Sequence, residues 1–125
     1  MDKAVLVGPD LDKGSKIVQI LDDAGLKVNV AFWALLSDYS DWRLFLASRK
    51  FDAIELAAAY GLLHKALDAG GISLRETPII GIFHNTDPFI RALRKECRNA
   101  RIGRRLGPYM VGNRSVEDGY IYRVS

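Results

Sequence analysis

Two stretches of this chain are apolar without the in-out alternation of a half-solvated strand, and they restrict the folds open to it. Val28, Val30, Phe32, Ala34 and Leu36 share one face of an extended segment, while Ala31, Trp33 and Leu35 make its other face apolar too. Ile79-Ile80-Gly81-Ile82-Phe83 is a second such run. A strand apolar on both faces has to be covered on both. The chain therefore calls for a sheet with helices packed against it, not for a sandwich of solvated sheets.

Helical segments of the right kind lie between these runs. Ile17, Ile20, Leu21 and Ala24 recur at helical spacing after Asp10, which reads as an N-cap, and Gly25 supplies a left-handed stop. Asp52 and Glu55 form a D-x-x-E variant of the capping box ahead of Leu56, Tyr60, Leu63 and Leu67. Pro88, preceded by Asp87, opens a third helix with Ile90, Leu93, Cys97 and Ala100 on one face, ended by Gly103. Short strands are expected at Ala4 to Val7 and at Trp42 to Ser48. A terminal hairpin is expected from Tyr109 to Val111 and Tyr120 to Val124, turning through Asn113 and Glu117-Asp118-Gly119. The predicted order is β-α-β-β-α-β-α-β-β over a single α/β domain, residues 1–125, with a mixed sheet. Its start resembles a ferredoxin-like split unit, and a three-layer α/β/α sandwich is the alternative.

With 125 residues and 49% apolar side chains the chain can bury a core without staples. One cysteine, Cys97, excludes an internal disulfide framework and a multi-cysteine zinc site. The first residues lack the apolar core of a signal peptide and no run reaches the ~20 apolar residues of a membrane span. A soluble, cytoplasmic protein is the expectation.

The segment Val7-Gly8-Pro9-Asp10-Leu11-Asp12-Lys13-Gly14, with Leu21-Asp22-Asp23-Ala24-Gly25 and the stretch from Phe32-Trp33 to Trp42-Arg43-Leu44, resembles a set of short bacterial proteins of uncharacterised function. The resemblance covers about the first half of the chain and carries strand, cap and turn signals. It implies a bacterial cytoplasmic domain and lends no activity.

Charge is divided unevenly along the sequence. Residues 1 to 88 hold 9 Lys+Arg and 12 Asp+Glu, a net of −3; residues 89 to 125 hold 9 and 3, a net of +6, and together these give the overall +3. Arg91, Arg94, Lys95, Arg98 and Arg101 recur three and four residues apart, opposite the apolar face of the third helix, and Arg104 and Arg105 continue the cluster. Such a face suits phosphate contacts, with Arg114 or Arg123 assisting. It suits an acidic protein surface equally well.

A second candidate lies at His84-Asn85-Thr86-Asp87, just past a strand, where open α/β sheets tend to bind ligands. His84 can act as acid or base near neutral pH, and Asn85 and Thr86 can orient a substrate. If the first and fourth strands are parallel neighbours, Asp10 approaches His84 and the pair suits hydrolysis or a divalent metal. No G-x-G-x-x-G, P-loop or H-E-x-x-H is present, so nucleotide binding by a known loop and zincin chemistry have no direct support, and the sequence names no particular cofactor. Three readings follow: a nucleic-acid or polyanion binder using the basic helix, a hydrolase or metal-dependent enzyme using His84 and Asp10, and a homodimeric module joined around Trp33 and Trp42.

Overall fold

The structure, a computed structural model, describes residues 6–39, 41–97 and 104–125. Its elements are α1 (Gly8–Asp23), β1 (Val30–Leu36), β2 (Arg43–Ala47), α2 (Arg49–Asp52), α3 (Leu56–Ala69), a 3-10 turn (Leu74–Glu76), β3 (Ile80–Ile82), α4 (Pro88–Glu96), β4 (Arg104–Arg105), β5 (Tyr109–Val111) and β6 (Arg114–Val124). They form a mixed sheet of order β3-β2-β1-β6-β4, with β5 paired to β6. The β2–β3 pairing is parallel and the other described pairings are antiparallel.

The doubly apolar run becomes β1, and all seven of its residues are buried. Ala31 and Trp33 face α1 and α3, packing with Ile17, Leu21, Leu63 and Leu67. Val30, Phe32, Ala34 and Leu36 face α4, packing with Phe89, Ile90, Leu93 and Cys97. Helices thus cover both faces, and the three-layer alternative describes the packing. The second run behaves differently. β3 ends the sheet among the described residues and is half-buried, not central.

Several local expectations change. The first helix begins at Gly8, and Asp10 sits inside its first turn, where the carboxylate accepts the Val7 N–H at 3.1 Å instead of acting as the N-cap. Of the strand expected at Ala4 to Val7, Leu6 and Val7 belong to no strand, and Ala4 and Val5 lie outside the described residues. Asp52 closes the short α2 rather than capping α3, whose N-cap is Glu55, so the D-x-x-E box is not formed. The terminal hairpin turns at Gly112-Asn113, with Gly112 at φ +58°, and Glu117 to Gly119 run on through β6. The expected stops at Gly25 (φ +81°) and the Asp87-Pro88 cap, where Asp87 accepts the Phe89 N–H at 2.9 Å, are present.

Topology positions the site. β2, β3 and β6 run in one direction and β1 in the other, so three strand ends and one strand start meet at a single edge. That edge gathers Asn29, Ser48, the α2 turn, His84-Asn85 and Ser125.

Candidate anion-binding site

Ser48, fully buried at the end of β2, fixes the α2 turn. Its hydroxyl donates to the Leu26 carbonyl and accepts the Lys50 N–H at 3.2 Å. This presents Arg49 and Lys50 to solvent beside the start of β1. Lys27 lies next to them at φ +48°, a left-handed conformation that costs a side-chain-bearing residue about 1 to 2 kcal/mol.

The floor is a half-buried polar junction centred on Asn85. Its Oδ1 accepts from Asn29 Nδ2 and from Arg94 Nη2, both at 2.7 Å, while its Nδ2 donates to Asp52 Oδ2 at 2.8 Å. The Asn85 N–H donates to Asp52 Oδ1 at 3.1 Å. Arg94 is further held by its Nε, which donates to the Ser125 carbonyl oxygen at 3.1 Å. One amide therefore joins a carboxylate to a guanidinium, fixing both before any ligand arrives.

Two depressions open over this floor. One, about 480 Å³, is lined by Lys27, Asn29, Ser48, Arg49, Lys50 and Ser125. The other, about 400 Å³, is lined by Arg49, Asn85, Thr86, Arg91, Arg94 and Ser125. Arg49 and Ser125 belong to both. Five cations line the combined groove and no Asp or Glu side chain does. Arg49, Lys50, Lys27 and Arg91 make no ion pair among the described residues, so their charge is available to a ligand. An anion entering here meets fixed and free donors in a recess, where local fields are screened less than on a flat surface.

His84 stands at the rim, 52% exposed, its Nε2 3.9 Å from Asp52 Oδ1. Its Nδ1 takes the Thr86 N–H at 3.2 Å and meets the Thr86 hydroxyl at 2.7 Å.

The sequence-predicted residues divide three ways. Asn85, Arg91 and Arg94 come together with Thr86, and Lys95 lies exposed further along α4. Arg104 and Arg105 leave the helix for β4, where Arg104 Nη1 donates to the Glu96 carbonyl at 3.4 Å and Arg105 pairs with Asp118 at 2.9 Å. Arg98 and Arg101 lie outside the described residues. Arg123 is engaged with Asp22 at 2.8 Å and Arg114 with Asp38 at 3.5 Å, so neither assists the groove. His84 and Asp10 are not brought together: Asp10 lines a recess with Pro78 and Ile79 at the amino end of β3, whereas His84 follows its carboxyl end. The carboxylate beside His84 is Asp52.

Sequence reasoning missed Lys27, Asn29, Arg49, Lys50 and Asp52. The available signal was Arg49-Lys50 directly after a strand, but only the parallel β2–β3 pairing puts that dipeptide beside His84-Asn85. Among the described residues no group of three or more His, Cys, Asp or Glu side chains gathers as a metal site requires, and no helix is long and apolar enough to cross a membrane. No protein-family model, curated protein or solved structure matches this chain. The chemistry of the site rests on its own geometry.

Proposed function

We propose that this chain binds a phosphate-bearing polyanion, nucleic acid by class, along the groove between α2 and the N-terminal half of α4. The observation that carries the reading is the shared Arg49, which makes one basic groove of two depressions lined by five cations and no Asp or Glu side chain. A single phosphate occupies only part of either depression. A groove with two favours a ligand carrying several. All three guanidinium nitrogens of Arg94 already donate to Asn85 and Ser125, so it supplies fixed positive charge, while Arg49, Lys50 and Arg91 supply mobile charge.

If each of the five cations neutralises one phosphate of a single strand, log K falls with log salt at a slope of about −3.5. Affinity then drops about a hundredfold between 50 and 200 mM salt. Anisotropy titrations of a labelled single-stranded oligonucleotide across that range test this. Replacing Arg49 and Arg91 together by Glu should flatten the slope to about −2 or less and weaken binding at every salt concentration. Unchanged affinity and slope in that double variant would sink the reading.

A further inference from the structure

The turn between β3 and α4 holds an arrangement that its structural duties do not require. Asp87 alone caps α4, and the Asp87 N–H donates to the His84 carbonyl to close the turn. The side chains of His84 and Thr86 are left over, yet they are ordered against each other. Two donors from Thr86, its N–H and its hydroxyl, converge on His84 Nδ1 at 3.2 and 2.7 Å. An imidazole nitrogen that accepts carries no proton, so the ring's proton sits on Nε2, facing Asp52. Asp52 is itself held by two bonds from Asn85, at 3.1 and 2.8 Å. The result is a hydroxyl on an imidazole, with a fixed carboxylate behind the imidazole, which is the logic of an activated nucleophile. The 3.9 Å between Nε2 and Asp52 Oδ1 is longer than a hydrogen bond, so the carboxylate faces the ring as a nearby charge. Thr86 lines the same depression as Arg49, Arg91 and Arg94.

Resting on the polyanion reading, we propose that Thr86 is the nucleophile of a phosphodiesterase, with His84 as its acid/base and Asp52 as a positioning residue. Thr86 Oγ1 attacks phosphorus and its proton passes to His84 Nδ1. The bond from phosphorus to the leaving oxygen breaks, and that oxygen takes the proton from Nδ1. Water then attacks phosphorus, giving its proton to Nδ1, and the Thr86 Oγ1–phosphorus bond breaks with return of that proton to the threonine. The sum is a diester and water giving a monoester and an alcohol. The guanidiniums of Arg49, Arg91 and Arg94 are placed to hold the non-bridging oxygens and the charge that gathers on them.

The test uses the whole chain with bis(p-nitrophenyl) phosphate. A burst of p-nitrophenolate should accompany an adduct of one p-nitrophenyl phosphoryl group on the peptide containing Thr86, read by mass spectrometry after acid quench. Thr86→Ala abolishes burst and adduct, Thr86→Ser restores both, and His84→Ala slows release about 10²- to 10⁴-fold. Asp52→Asn lowers the burst rate constant without raising KM, and Asp52→Glu restores part of the rate, as a residue that only positions the imidazole requires. Release that survives Thr86→Ala but not His84→Ala overturns the threonine as nucleophile. A wild-type chain that releases nothing overturns the enzyme; if it still binds the oligonucleotide with a steep salt slope, the polyanion reading stands, and if it does not, both fall.

Discussion

Gly14 sits in the second turn of α1, where propensity and packing make opposite predictions for Gly14→Ala. By propensity alone the change should stabilise the helix by about 1 kcal/mol. Packing opposes it. A Cβ at this position would fall on the Tyr122 hydroxyl and lie 2.7 Å from Trp33 Nε1. Neither group can yield freely, because Trp33 Nε1 donates to Tyr122 Oη at 2.9 Å and that hydroxyl donates to the Leu11 carbonyl, while Trp33 is 3% exposed. Overpacking costs about 1 to 3 kcal/mol, and losing one or both hydroxyl bonds adds about 1 kcal/mol each. The net expectation is destabilisation by about 1 to 4 kcal/mol. For 125 residues the unfolding entropy near the midpoint is about 0.26 kcal/mol/K, so Tm should fall by about 4 to 15 °C in a circular-dichroism melt. Tyr122→Phe removes the oxygen that the new methyl would strike but leaves Trp33 Nε1 at 2.7 Å and the ring's Cε2 at 2.9 Å, so Gly14→Ala should cost less in that background without becoming neutral. A rise in Tm for Gly14→Ala in the wild-type chain would refute the packing argument.

Two further outcomes are expected. Burial pushes the Tyr122 phenol up to about 12, against the opposing pull of the Trp33 hydrogen bond, from an unfolded value near 10. The fold therefore favours the protonated phenol. Its contribution is full below about pH 10 and is lost as pH rises towards 12, by about 2 to 3 kcal/mol. Urea unfolding at stepped alkaline pH should show wild type losing more stability than Tyr122→Phe, and parallel curves would contradict this. Cys97 is fully buried and desolvation raises its thiol pKa, so Ellman's reagent should label it far more slowly in the native chain than in urea. Equal rates would place the thiol at the surface.

Much of the architecture was legible because it depends on local patterning. The doubly apolar β1, the Gly25 stop, the Asp87-Pro88 cap and the apolar face of α4 follow from side-chain period and from backbone preferences that act within a few residues. The misreadings share one cause. Asp10, Asp52 and Gly119 carry turn and cap chemistry, and each took a different role once the surroundings offered a partner: the Val7 N–H, the Asn85 amide, and close approach to Leu106 and the Trp33 carbonyl in β6. β3 looked covered on both faces because apolar runs mark burial but not a strand's place in a sheet.

The site was legible only in pieces. His84-Asn85-Thr86 at a strand end and the arginines of α4 could be read from residue type and spacing, since both signals lie within one element and its flanking turn. The partner set could not. Asn29 and Asn85, Asp52 and Asn85, and Arg94 and Ser125 are 56, 33 and 31 residues apart. Each is joined by strand order and direction, which pairwise propensity does not encode. By itself the sequence determined that helices must cover both faces of a mixed sheet and that the late segment is basic. Tertiary structure decided which cations share a recess: β2 lies parallel to β3, carrying Arg49 to Arg91 and Arg94, while Arg105, Arg114 and Arg123 are drawn into pairs with Asp118, Asp38 and Asp22. Net charge is a property of composition; a field able to hold a ligand depends on which charges the fold leaves unpaired and close together.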